Sequence, residues 1–257
     1  MNYQNQNPFE NHEPLSFDQI TNAQNTYSQK EEEVKSEIDI QIRLGFIRKV
    51  FGILSFQLII TSLMTYCAMA FQSFKDFIFQ DKTILILSFA ALIIIMFVLC
   101  CCQGIMRQVP LNYIIMLIFT LSMSYLVAGT CALADPKIVF MAALMTCVMV
   151  ISLTIYAIYT STDFTMKGGL FFIVMAASLL FCIFGLFIRV KIILVIICLC
   201  GVIIFSLYLI YDIQLIIGNR KDMILVDDYM FAALNIYLDI INIFLYLLRL
   251  FNLLNDS

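Results

Sequence analysis

The chain has 257 residues, 62% of them hydrophobic and 13% charged, with a formal net charge of −3 and a mean hydropathy of +0.96. A soluble domain of this length cannot hide so much apolar surface, because its own outside must face water, so the composition indicates a membrane protein. The nearly neutral charge balance offers no footing for nucleic acid or for a strongly basic membrane-surface patch.

In chain order, residues 1–29 hold six Asn, five Gln and no apolar run, so nothing there resembles a cleaved signal peptide. An acidic, helix-prone stretch follows, Glu31-Glu32-Glu33-Val34-Lys35-Ser36-Glu37. Residues 1–42 read as a disordered, solvated tail, because they cannot bury enough apolar surface to offset ordering. Residues 43–257 read as one membrane domain. Seven apolar stretches in it are each long enough to cross a bilayer, which takes roughly 20 helical residues. They are Val50–Phe71, Thr83–Cys102, Leu111–Ala134, Ile138–Tyr159, Leu170–Ile188, Ile192–Ile217 and Tyr229–Leu248, the last extending toward Leu254. None contains proline, while Pro110, Pro136, Gly168-Gly169 and Gly218 fall at the boundaries. The short connectors, Gln72–Lys82 among them, make neighbouring helices antiparallel. The expected fold is all-α: a polytopic membrane protein, a seven-transmembrane-helix bundle with a disordered N-terminal tail.

Cys67, Cys100, Cys101, Cys102, Cys131, Cys147, Cys182, Cys198 and Cys200 lie inside or at the edges of these spans and read as small buried hydrophobes. His12, the one histidine, is in the tail, so the sequence offers no Cys/His metal constellation and no cofactor is expected. Arg43, Arg48, Lys49, Arg107, Lys167, Arg220 and Lys221 flank one side of the predicted bundle; Lys75, Lys82, Lys137, Arg189, Lys191 and Arg249 flank the other. The small excess on the first side places the N-terminus in the cytosol.

Ionisable groups inside a bilayer are costly, a few kcal/mol each on insertion scales, and mark function. Arg249, near the far end of the last span, can reach the interface with its long side chain. Asp212 and Asp239 cannot. Asp212 lies near the end of span six and Asp239 about ten residues into span seven. At 1.5 Å per residue their depths from the shared connector are roughly 9 and 15 Å, similar heights on consecutive antiparallel helices. Asn235, Asp239 and Asn242 follow an i, i+4, i+7 spacing, and Tyr208 shares a face with Asp212. Both polar stripes should point into the bundle, since lipid offers them no partner. Two carboxyls close together in a low dielectric cannot both ionise cheaply, so the pair would titrate as a unit around a shared proton. The alternative is that each Asp only cross-links helices. The hydroxyls of Ser122, Ser124, Thr146, Ser152 and Thr154 are expected to pack helices, and Asp163 and Thr165 to cap span five.

Three segments resemble the Bax inhibitor, or Lifeguard-like, family of membrane proteins. The first is Ile47-Arg48-Lys49-Val50-Phe51-Gly52-Ile53-Leu54-Ser55-Phe56-Gln57-Leu58; the second is Thr162-Asp163-Phe164-Thr165 with Gly168-Gly169. The third and most specific joins Tyr211-Asp212-Ile213-Gln214-Leu215-Ile216, Asp228-Tyr229 and the run from Phe231 to Leu245. The resemblance extends over residues 47–254. It implies a seven-helix bundle that leaks calcium across intracellular membranes and restrains cell death, with two aspartates forming a pH-responsive pair at the pore. Those positions correspond to Asp212 and Asp239, and Arg107 is the candidate for the arginine that family members bring near the pair. The expected surroundings are the lipid bilayer, calcium as permeant ion, and cell-death regulators or calcium channels in the same membrane. The expected location is the endoplasmic reticulum or Golgi, with the plasma membrane or another organelle as alternatives.

Two rival readings use the same residues. Intramembrane aspartyl proteases also place aspartates on adjacent spans, one after a tyrosine as in Tyr211-Asp212. Their second aspartate follows Gly-x-Gly, whereas Ile236-Tyr237-Leu238 precede Asp239 here, and no Pro follows Pro136. A non-conducting scaffold that regulates apoptosis is the other. A non-enzymatic protein is therefore expected.

Overall fold

A computed structural model describes residues 17–80, 82–101, 108–160, 162, 164, 190–218 and 224–255. All regular structure among them is helical: α1 (Phe17–Ala70), α2 (Gln72–Gln80), α3 (Lys82–Cys101), α4 (Leu111–Ala132), α5 (Pro136–Tyr159), α6 (Lys191–Ile217) and α7 (Tyr229–Asn255). The predicted fifth span, Leu170–Ile188, lies outside the described residues, as do Asp163 and Thr165. The chain divides into two compact units within α1, Met1–Leu44 and Gly45–Ser257. In the first, residues 17–42, expected from sequence as disordered tail, are helical. Glu33–Ile42 are exposed throughout, so the helix there rests on the local propensity of Glu, Lys and Gln rather than on packing.

In the second unit the boundaries follow the punctuation of the sequence. Pro110 directly precedes α4. Asp135 caps α5 by accepting a hydrogen bond from the Lys137 amide at 2.8 Å, with Pro136 in the first turn, where a missing N–H costs nothing. Gly218 ends α6 in the left-handed region (φ 74°), its amide donating to the Gln214 carbonyl at 3.2 Å. A 3₁₀ turn, Val226–Asp228, leads into α7.

Among the described residues five helices are long and apolar enough to cross a bilayer: the stretches Glu33–Ala70, Leu111–Ala132, Pro136–Tyr159, Lys191–Ile217 and Val226–Asn255. A sixth candidate is a bent pair, Gln72–Gln80 with Thr83–Val98, angled by 73°. The connector expected over Gln72–Lys82 is thus corrected: it contains a short amphipathic helix that buries Ile78 and is braced by Gln72 Nε2 donating to Asp76 Oδ1 at 2.9 Å. Phe74 and Ile78 pack beside Ala68, Tyr125 and Ala128, which gives the segment reason to fold rather than loop.

α7 occupies the centre. It packs on α4, α5 and α6, most extensively on α6, and before Leu254 its one exposed residue is Arg249. Its Met230, Leu234, Ile236, Ile243 and Leu247 share a core with Phe46 and Val50 of α1, Phe119 of α4, Ala142 of α5 and Leu209 and Ile213 of α6. The outward faces are apolar instead, with Leu87, Phe97, Phe140, Val148 and Ile151 more than half exposed. In water such faces would drive association. Against hydrocarbon they are the required exterior. Sequence and structure agree on a polytopic helical membrane bundle.

Candidate functional site

Asp212 sits in the penultimate turn of α6 and Asp239 near the middle of α7. Both are buried, 7% and 5% exposed, and their carboxyl groups lie within hydrogen-bonding reach of each other. A hydrogen bond between two carboxyls requires a proton on one of them. Asp239 Oδ2 is fully buried, and among the described residues its available partner is the Asp212 carboxyl. The hairpin of α6 and α7 therefore brings together the two acids that the sequence picks out at membrane depth.

The supporting polar residues are placed less uniformly. Asn235 and Asn242 are both half-buried, and Asn242 turns its amide back to donate to the Leu238 carbonyl at 2.8 Å. Tyr208, one turn before Asp212, is half-buried with its ring 6.0 Å from that of Phe205. Arg107 lies outside the described residues.

Two features near the pair were not anticipated. Gln214, two residues after Asp212 and 2% exposed, clamps the segment that follows α5. Its Oε1 accepts from the Phe164 amide and its Nε2 donates to the Thr162 carbonyl, both at 3.0 Å. The second feature is a ladder on the side of α7 that faces α1 and α4. Tyr237 Oη and Ser124 Oγ each lie 2.8 Å from Thr61 Oγ1. Thr61 Oγ1 also reaches the Gln57 carbonyl as donor (2.9 Å), so the three hydroxyls and that carbonyl form one hydrogen-bonded network. One turn along, Gln57 Nε2 donates to Thr120 Oγ1 at 3.0 Å and approaches Met116 Sδ at 3.3 Å. The available signal was a pair of one-turn polar spacings inside apolar spans, Gln57/Thr61 and Thr120/Ser124. Ser124 thus packs helices as expected, but as part of a network. Among the described residues no three His, Cys, Asp or Glu side chains gather as a metal cluster.

With this geometry in place, comparison with known proteins is informative. The family model described as "Inhibitor of apoptosis-promoting Bax1" matches residues 43–256. Protein lifeguard 3 of Homo sapiens is 34% identical over 216 residues, covering 82% of this chain and 70% of the human protein. Protein lifeguard 3 of Mus musculus is 33% identical over 216 residues, with the same coverage. Protein LIFEGUARD 4 of Arabidopsis thaliana is 33% identical over 215 residues, covering 82% of this chain and 85% of the plant protein.

Proposed function

This chain belongs to the Bax inhibitor (Lifeguard) family of membrane proteins, and on that premise we propose that it suppresses cell death by letting calcium leak from an intracellular store, gated by Asp212 and Asp239. Family membership carries the anti-apoptotic part of this reading. The observation that supports the rest is the pair of buried carboxyls that meet across α6 and α7.

While the pair holds its shared proton, the two carboxyls bridge α6 to α7, and the site presents at most one negative charge to the membrane interior. Removal of that proton leaves two carboxylates side by side. Unit charges about 4 Å apart repel by about 4 kcal/mol at an effective dielectric near 20, more than the net worth of a typical hydrogen bond. Two outcomes relieve the repulsion: the helices separate, or a cation enters between them. Calcium favours carboxylate oxygens but takes six to eight ligands at about 2.3–2.6 Å, so two carboxylates attract it without supplying a tight cage. A site of that kind suits passage rather than storage. The endoplasmic reticulum and Golgi are the membranes proposed to hold it, with the N-terminus in the cytosol.

The sign follows from the latch. Acid keeps the bridging proton and the low-flux state; raising the pH removes it and raises flux. The test is calcium entry into dye-loaded liposomes containing the purified full-length protein, over a pH series. Asp212→Asn and Asp239→Asn retain hydrogen-bonding capacity but abolish the shared carboxylic proton, so each should flatten the pH dependence. Flux that ignores both the pH and the two substitutions would sink the mechanism.

A further inference from the structure

Tyr237 precedes Asp239 by two residues, which turns it about 200° around α7, away from α6 and toward α1 and α4. Its ring is completely buried, and its hydroxyl is tied through Thr61 to Ser124, joining three helices at one point. Among the described residues no charged side chain takes part in this joint: Thr61 and Gln57 contribute from α1, Ser124 and Thr120 from α4. On the opposite face of α7, the titratable group paired with Asp239 is Asp212 of α6. α7 is therefore held by hydroxyls on one side and meets the acid on the other.

We propose that Tyr237, acting through Thr61 and Ser124, is a positioning residue for the carboxyl pair, setting the rotation and height at which α7 presents Asp239 to Asp212. The inference rests on the pair being the gate, as argued above. The lever is short. Side-chain tips lie about 5–6 Å from a helix axis, so a rotation of about 20° carries a carboxyl oxygen roughly 2 Å, enough to break a hydrogen bond. Interhelical hydrogen bonds in membranes are modest, and losing one shifts a two-state equilibrium about threefold.

The test uses the full chain in liposomes and three substitutions that keep shape: Tyr237→Phe and Thr61→Val remove a hydroxyl, and Thr61→Ser keeps it. Tyr237→Phe and Thr61→Val should each change calcium flux at fixed pH by about threefold. The double variant should go no further than the singles, and Thr61→Ser should behave as wild type. In an Asp212→Asn background the two hydroxyl deletions should have no effect. Equal effects with and without Asp212 would overturn the proposal, because the joint would then be packing alone. A second readout does not depend on conduction: labelling of Asp239 by an apolar carbodiimide, which attacks neutral carboxyls, followed by mass spectrometry. An Asp239 that has lost its partner should label at least threefold faster in Tyr237→Phe and at the wild-type rate in Thr61→Ser. Should the Asn variants show that the pair does not gate flux, changed labelling still supports the positioning role, and unchanged labelling overturns it. Ser124→Ala, the smallest deletion in the joint, serves as the substitute if Tyr237→Phe does not fold.

Discussion

Gly201 sets how closely α6 can approach α7. A Cβ at that position would lie 2.6, 2.7 and 2.7 Å from Cε1, Cδ1 and Cζ of Tyr246, against ordinary carbon contacts of about 3.5–4.0 Å. The ring has little room to yield, because it stacks on Phe205 at 5.8 Å with an interplanar angle of 29°. Gly201→Ala must therefore either spread the two helices or turn Tyr246 away from Phe205. Overpacking of this kind costs about 1–3 kcal/mol, and loss of an aromatic pair about 0.5–1.5 kcal/mol. A net destabilisation near 2 kcal/mol corresponds to a fall in Tm of roughly 4–8 °C for a domain of this size. The assay is thermal unfolding in detergent with a thiol-reactive dye, read at Cys131 and Cys198, which are buried, in a protein whose other seven cysteines are replaced by Ala. Combining Gly201→Ala with Tyr246→Ala removes the clash, so the double variant should melt no lower than Tyr246→Ala alone. A Gly201→Ala protein melting within about 1 °C of wild type would show that the helix spacing is not set by this contact.

The Gln214 clamp should be equally measurable. Gln214→Met keeps the volume but leaves the Phe164 amide and the Thr162 carbonyl without their partner, at about 1–3 kcal/mol for a buried group left unsatisfied. Hydrogen exchange at the Phe164 amide should accelerate about tenfold or more, and an unchanged rate would mean that the clamp does not hold the segment. At the start of α5, Asp135→Ala removes the cap on the Lys137 amide and should cost about 1 kcal/mol, whereas Asp135→Asn should stay within a few tenths. Equal melting of the two variants would argue against capping as the role of Asp135.

How legible these features were depends on the range of the interactions that fix them. The α6–α7 hairpin was readable because Gly218 and the polar stretch after it separate two apolar runs, and because helical rise alone places Asp212 and Asp239 at similar heights. Their contact depends on how both helices are rotated about their axes, which helical rise alone leaves open. α2 was not readable: Phe74, Phe77 and Ile78 are too few to span a membrane, and their helix is held by Tyr125 and Ala128, about fifty residues away. The ladder was hidden for the same reason. Thr61 and Tyr237 are separated by 176 positions, and nothing local says which of the twelve tyrosines turns inward.

A chemical criterion nonetheless separates the polar residues that organise this bundle from those that do not. Ser55, Thr146, Ser152 and Thr154 each donate to the carbonyl four residues back on their own helix. Such hydroxyls satisfy themselves in lipid and place no demand on a neighbour. Asn242 does the same, whereas Asn112 of α4 donates to the Tyr229 hydroxyl of α7 at 3.4 Å. An ionisable carboxyl, a phenol or a glutamine amide is poorly placed to bond its own helix backbone in this way, and in a bilayer its only recourse is another element. Asp212 and Asp239 meet each other, Tyr237 reaches α1, Gln57 reaches α4, and Gln214 reaches the Thr162–Phe164 segment. Tyr125 conforms as well, its hydroxyl donating to the Ile78 carbonyl of α2 at 3.4 Å. The acids, the glutamines and Tyr237 thus reach a neighbouring element, Thr61 and Ser124 join them where an interhelical partner is supplied, and α7 is the helix on which constraints from both sides converge.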